Sequence, residues 1–134
     1  MQRLSRFVMI FCLVCSIFTF TGCNEFSEPI AVIPDDISII NITHSVCGQS
    51  TKFTVEGDNL NELREWVTGL RYKHQSYTKG NSPSDCEGGE VYIFEMEEDY
   101  TGFSYIINGK NKCYLLVEGE WYAVSNPSNP PIAD

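Results

Sequence analysis

The side chains best suited to chemistry are a few cysteines and histidines in an acidic chain of 134 residues. His44 and Cys47 have a spacing that metal ligands tolerate, but no second pair follows as a structural zinc site requires. Neither His44 nor His74 has a nucleophile or acid partner at a recognisable motif spacing. We therefore expect both histidines on strands or on the surface, without a metal or cofactor.

Catalytic and calcium-binding motifs are also missing from the sequence. There is no nucleophile elbow, no phosphate-binding glycine loop and no zinc-type helix, so the sequence does not favour an enzyme. In the loop "SDCEGGE", Asp85, Glu87 and Glu90 offer carboxylates without the ligand register of an EF-hand. The run from Glu95 to Asp99 is typical of a charged turn that discourages edge pairing.

The first 22 residues have the pattern of a secretory signal. Arg3 and Arg6 precede a largely apolar run of fourteen residues, Phe7 to Phe20, and no acid is present. As a helix this run would be ~21 Å long, shorter than the ~30 Å hydrocarbon core of a bilayer. A cleaved signal is therefore favoured over a signal anchor that stays in the membrane.

The residues that end this segment, "FTGC" at positions 20 to 23, resemble the lipobox of bacterial lipoproteins. In that family an apolar residue, a small residue and Gly or Ala precede a cysteine, which receives diacylglycerol before the signal is cut off. The resemblance implies that Cys23 is the lipidated N-terminus, held by acyl chains such as palmitate on the extracytoplasmic side of a bacterial membrane. Phe20 departs from the Leu that is commonest in the family, which bears on the efficiency of cleavage. Two or three acyl chains anchor a domain firmly, whereas one is marginal.

Cleavage before Cys23 would set the size and charge of the mature chain. It leaves 112 residues, enough for one domain and too few for two. Loss of two arginines shifts the formal net charge from −9 to −11. Such a surface repels phosphate backbones, so we expect no nucleic acid partner.

Three cysteines, Cys47, Cys86 and Cys113, remain after the signal and the lipid attachment site are set aside. Outside the cytoplasm one pair of them can form a disulfide. Cys47 with Cys86 is our candidate, since both lie in turn-like contexts, although the sequence alone does not decide between the pairs.

The patterning divides the chain into a signal at 1–22, a tether at 23–36 and one domain at 37–134. A run rich in β-branched residues from Ile37 to Val46, followed by the alternating "TKFTVEG", predicts a β-hairpin. Residues Arg71 to Thr78 predict one more strand. Four short runs, "EVYIFEM", "GFSYII", "KCYLLV" and "EWYAV", predict an antiparallel C-terminal meander.

One amphipathic helix is predicted in "DNLNELREWVTGLRY". Asn59 and Glu62 occupy the positions of an N-cap and its capping-box partner. Apolar residues recur at spacings of three and four on one face, namely Leu60, Leu63, Trp66, Val67 and Leu70. We expect Trp66 in the core rather than in a ligand platform, and an α+β fold in which the helix packs on a mostly antiparallel sheet.

Both faces of the predicted meander are apolar, and one helix can cover only one of them. We expect the N-terminal hairpin to fold over the second face as another layer. The alternative is an aromatic surface rich in Tyr that is offered to a protein, peptide or glycan partner, and the two are compatible if the hairpin leaves a cleft.

The segment from Glu87 to Ile132, with "GGEVYIFEM", "NGKNKCYLLVEGEWY" and "NPSNPPI", resembles a group of small bacterial lipoproteins. This resemblance implies a shared domain and transfers no site. The favoured function is a non-catalytic binding or accessory module of the cell envelope, with an envelope protein or wall component as partner. The alternative is a protective lipoprotein of the immunity or enzyme-inhibitor type.

Overall fold

The computed structural model describes residues 29–85, 89–97, 99–109 and 112–132. The predicted signal, Cys23 and Cys86 lie outside these ranges. The elements in chain order are β1 (Ile39–Val46), β2 (Gln49–Glu56), α1 (Gly57–Gly69), β3 (Tyr72–His74), a 3-10 turn (Pro83–Asp85), β4 (Glu90–Glu95), β5 (Phe103–Ile107), β6 (Cys113–Val117) and β7 (Glu120–Val124). No helix within the described ranges has the length and apolar character needed to cross a membrane.

The seven strands form one antiparallel sheet in the order β2-β1-β4-β5-β6-β7-β3, with a single helix packed on it. The predicted α+β class, the hairpin and the C-terminal meander are confirmed. The hairpin does not form a second layer, however. Strand β1 pairs with β4, with Ile42 opposite Phe94, so the hairpin extends the sheet at its edge and the prediction that it covers the other face is wrong.

Two tight turns set the register of the sheet. Cys47 and Gly48 both have positive φ, at 50° and 80°, and connect β1 to β2. Glu118 and Gly119, at 50° and 83°, connect β6 to β7 in the same way. Two-residue turns of this left-handed kind match the twist of the strands they join, and they fix which side chains share a face.

Helix α1 packs on the side of the sheet that we call the front face. Leu60, Leu63 and Val67 are buried against it, as the apolar stripe predicts. Trp66 packs beside Phe94 and edge-on to Tyr105, with ring centroids 5.9 and 5.0 Å away, so it belongs to the core as expected.

The predicted start of the helix is wrong. The helix begins at Gly57 after Glu56 and has no side-chain cap, so Asn59 lies inside its first turn. The reason is the junction with β2. Strand β2 runs on to Glu56, and Gly57, with a φ of +61°, turns the chain directly into the helix.

Two extended segments complete the cover of the front face. Ala31 and Ile33 are buried in the core, so part of the segment predicted as a tether packs within the domain. Near the other terminus, Ser128 accepts a hydrogen bond from Nε1 of Trp66 at 3.0 Å, and its N–H donates to the Tyr105 hydroxyl. The C-terminal segment thus caps the sheet as predicted.

The segment after β3 crosses the opposite side, which we call the back face. Strand β3 ends at His74 and not at the predicted Thr78, because the chain leaves the edge once the Gln75 N–H has bonded to the Trp121 carbonyl at 2.9 Å. It must then pass β7, β6 and β5 to reach β4 near the middle of the sheet. Tyr77 packs on Tyr114 and Trp121 along this route, so the crossing segment covers part of the back face.

Candidate functional site

His44 has an acid partner in the fold that its sequence neighbours do not reveal. Its Nε2 lies 2.7 Å from Oε1 of Glu90, and the Tyr92 hydroxyl donates to the same oxygen at 2.7 Å. The imidazole also stacks on the Tyr92 ring, with centroids 4.1 Å apart and planes within 4°. The pairing of β1 with β4 places His44 directly opposite Tyr92, which explains why the cluster forms.

Cys113 is a second titratable residue on which the Glu90 charge acts. Its thiol is buried in the front-face core. Burial, with the Glu90 charge adding to it, raises the pKa of Cys113, against the lowering effect of its hydrogen bond with Tyr105. A reactive cysteine needs a lowered pKa, so Cys113 is a structural residue.

His44 and Cys47, the pair whose spacing metal ligands tolerate, do not belong to a group of ligands among the residues that the structure describes. In the described part of the chain, no three His, Cys, Asp or Glu side chains form a group that could hold a metal ion. His74 pairs instead with Glu120 at 2.8 Å on the surface. Cys47 is exposed in the β1–β2 turn. The Cys47–Cys86 disulfide and the lipid on Cys23 stay predictions, because Cys23 and Cys86 lie outside the described residues, as does Glu87.

An open groove lies on the part of the back face that the crossing segment leaves uncovered. The register places Ile93, Ser104, Leu116 and Trp121 side by side on β4, β5, β6 and β7. Ser104 is small and lies between the aliphatic side chains of Ile93 and Leu116, so the surface of the sheet is lower at Ser104 than at its two neighbours. The groove has a volume of about 510 Å³ and is lined by Ile93, Phe94, Glu95, Met96, Tyr100, Gly102, Phe103, Ser104, Leu116, Glu118 and Gly119.

We call this feature the back-face groove, and its rim is acidic. Glu95 ends β4 and Glu118 lies in the β6–β7 turn, and both are exposed. Thr101 donates a hydrogen bond to Oε1 of Glu118 at 3.3 Å, which helps to orient this carboxylate. Ile93 and Leu116 make part of the floor apolar, and Ile93 keeps 39% of its surface exposed. An apolar floor beside two carboxylates suits a long cationic side chain, whose aliphatic stem packs while its charged end stays near water.

The loop beside the groove is tied to the N-terminal segment. The Tyr100 hydroxyl donates to Oδ2 of Asp36, and this hydrogen bond is the main reason that the pKa of Tyr100 is raised. Gly102 lies against the backbone of β4, since a Cβ at this position would be 2.5 Å from the Phe94 carbonyl oxygen. The β4–β5 connection is therefore held close to the end of the sheet.

The aromatic surface predicted for the second face is used mostly for internal packing. The rings of Tyr77, Tyr114 and Trp121 meet edge-on, with centroids 5.9 to 6.4 Å apart. At these distances the rings contact one another, so a ligand does not fit between them. The Tyr77 hydroxyl is buried with no hydrogen-bond partner in the described structure, and burial, with Tyr114 adding to it, raises the pKa of Tyr77 to about 12.

Sequence reasoning did not identify the groove itself. Alternation sets Ile93 on the opposite side of β4 from Phe94, and Leu116 on the opposite side of β6 from Leu115, but it does not predict which side the helix covers. The groove depends on Ser104, a small residue that lies between the larger Ile93 and Leu116, and only the register of the three strands brings these residues together.

Comparisons of this chain with family models, with curated proteins and with solved structures find no match.

Proposed function

We propose that this protein is a lipid-anchored, non-catalytic binding module of the bacterial cell envelope, which holds a protein partner in the back-face groove. The anchor is supported by the lipobox resemblance at Cys23. The binding role is supported by one observation, the groove that remains open on a sheet whose front face is covered by a helix and two terminal segments.

The lining of the groove favours binding of a peptide segment. Ile93 and Leu116 offer apolar surface that a partner would remove from water, at ~25 cal/mol per Å² buried. Glu95 and Glu118 would select for cationic groups and repel acidic ones, which gives specificity and faster association.

Mass spectrometry of the purified N-terminus tests the anchor. We expect the wild-type protein to begin at a diacylglycerol-modified Cys23, and the Cys23→Ala variant to stay uncleaved and unmodified. A wild-type chain that keeps residues 1–22 and carries no lipid would overturn the membrane assignment.

Photo-crosslinking in growing cells tests the groove. A photoreactive amino acid replaces Ile93 on the groove floor, and Lys52 on β2 serves as the control position. We expect one reproducible protein adduct from position 93 and none of the same mass from position 52. The adduct should disappear when Glu95→Gln and Glu118→Gln are added. Identical adducts from both positions would count against the groove as the binding site.

A further inference from the structure

The basic residues of this acidic protein are unevenly distributed. Residues 70–84 contain Arg71, Lys73 and Lys79 and no Asp or Glu, whereas the chain as a whole has 18 acidic residues and 9 basic ones. All three cationic residues are exposed. This segment includes β3, which is an edge of the seven-stranded sheet.

The N-terminal end of the described chain lies at the same edge. The Ile30 N–H donates to the Tyr72 hydroxyl at 2.7 Å, and Tyr72 is the first residue of β3. Only six residues, 24–29, separate Ile30 from Cys23. Six extended residues span at most ~21 Å. A lipid on Cys23 would therefore hold this edge close to the membrane, in contrast to the longer tether that the sequence predicts.

We propose that the β3 edge, with Arg71, Lys73 and Lys79, lies against the anionic headgroups of the membrane that holds the lipid anchor. The sheet then stands edge-on to the bilayer, with β2 on the side away from it. This inference rests on the lipid anchor in the proposed function. The contact of the basic edge with the headgroups would fix the orientation of the domain relative to the membrane, which a lipid attachment alone does not fix.

Charge repulsion supports the same orientation. The lipid anchor brings a protein of strong net negative charge to a surface that is itself negative, so the acidic parts are repelled while the basic edge is attracted. Glu120 is an acidic residue in contact with this edge, and its Oε2 forms a hydrogen bond with Nε2 of His74 at 2.8 Å.

The proposed orientation sets the heights of the two sheet edges. Six strand spacings of ~4.8 Å separate β3 from β2, so the two edges would differ by ~29 Å in height above the membrane.

The test measures that height difference in the full lipidated protein reconstituted into vesicles. A fluorescent amino acid replaces Gln75 beside β3, or Gln49 at the start of β2, both of which are exposed glutamines at opposite edges of the sheet. The vesicles contain anionic phosphatidylglycerol and an energy acceptor on the headgroups. Lys73→Glu with Arg71→Glu is the test variant, and Lys52→Glu on β2 is the matched control.

We expect energy transfer from position 75 to exceed that from position 49 by about twofold or more, because transfer falls steeply over ~29 Å. Added salt and the Arg71→Glu, Lys73→Glu variant should reduce this difference to what the short lipid attachment alone maintains, whereas Lys52→Glu should leave it unchanged. Equal transfer from both positions, with the protein still floating with the vesicles, would overturn the orientation alone. A wild-type protein that does not float with vesicles would instead refute the anchor, and circular dichroism confirms that each variant is folded.

Discussion

The backbone N–H of Ile30 donates a hydrogen bond to the side-chain hydroxyl of Tyr72, 42 positions further along the chain. One partner lies in the N-terminal segment and the other in the edge strand β3. This bond therefore ties the N-terminal end of the described chain to the edge strand of the sheet.

Tyr72→Phe should lower the free energy of unfolding by about 1 kcal/mol, the usual value of one hydrogen bond whose packing is kept. The ring would still meet Tyr122 edge-on, with centroids 5.8 Å apart. Urea unfolding gives the free energy, and amide hydrogen exchange at Ile30 should become faster. Tyr122→Phe is the control and should stay within about 0.5 kcal/mol of wild type. Unchanged exchange at Ile30 in the Tyr72 variant would show that the bond does not hold this segment.

Arg64→Met should destabilise the protein by about 2 to 3 kcal/mol, because a charged donor to several carbonyls is lost. The guanidinium donates to the Pro34 carbonyl through Nε at 3.3 Å and Nη2 at 3.0 Å, and also to the Ile37 carbonyl. Arg64→Lys should have a smaller effect, since one ammonium group can replace part of this donation. Thermal unfolding of both variants measures the difference, and equal stability of Lys and Met would contradict the role of the guanidinium.

Gly102→Ala should destabilise the β4–β5 connection by more than about 2 kcal/mol, because the new Cβ would lie 2.5 Å from the Phe94 carbonyl oxygen. Gly69→Ala is the matched control. It meets nothing within 4 Å at the end of α1 and should be neutral or stabilising by up to about 1 kcal/mol. Chemical unfolding of the two variants should therefore give opposite signs. Two similar losses would mean that the close approach at Gly102 is relieved by backbone movement.

Tyr77→Phe should stabilise the protein by up to about 1 kcal/mol, since it removes a buried hydroxyl that has no hydrogen-bond partner in the described structure. Tyr77→Ala should instead cost about 3 kcal/mol, because the ring that packs on Tyr114 and Trp121 is lost. Calorimetry measures the stability of the two variants, which should change in opposite directions. A loss of stability in Tyr77→Phe would reveal a partner for the hydroxyl.

Alkaline pH should unfold the protein in a way that depends on Tyr77. Its pKa is raised from about 10 to about 12 in the folded state, so folding favours the neutral phenol. This contribution to stability is complete below pH 10 and is lost as the pH rises from 10 through 12. The pKa of Tyr105 is raised in the same direction by burial. Urea midpoints between pH 8 and 12 should fall more steeply for wild type than for Tyr77→Phe, and parallel curves would argue against the shift.

Local patterns predicted most of the elements but not their arrangement. The N-terminal hairpin, the apolar stripe of α1 and the alternation in the meander are short-range signals, and each is confirmed. The pairing of β1 with β4 joins residues about 50 positions apart, and no local pattern encodes it. The same long-range pairing explains why β3 is short, because the chain must leave the edge and cross the back face to reach β4.

The candidate site was predictable only in part. Strand alternation sets Ile93 and Leu116 apart from the neighbours that are buried in the front-face core, such as Phe94 and Leu115, but it does not predict which face the helix covers. The contact of Ile93 and Leu116 with Ser104 depends on the register of three strands, which the sequence alone does not supply. The partnership of His44 with Glu90 was missed for the same reason, since motif spacing reveals only partners that are close in sequence.

The strand order also constrains how the chain can fold as it is synthesised. Strand β3 has its pairing partner in β7, where Tyr72 faces Val124 near the end of the chain. Helix α1 needs Phe94 and Tyr105 beneath Trp66, which come well after it in sequence. An incomplete chain would therefore expose the apolar stripe of the helix at least until β5 is made. Chains truncated before β7 should lack the partner of β3 and remain incompletely folded, so we expect proteases to degrade them faster than the full-length protein.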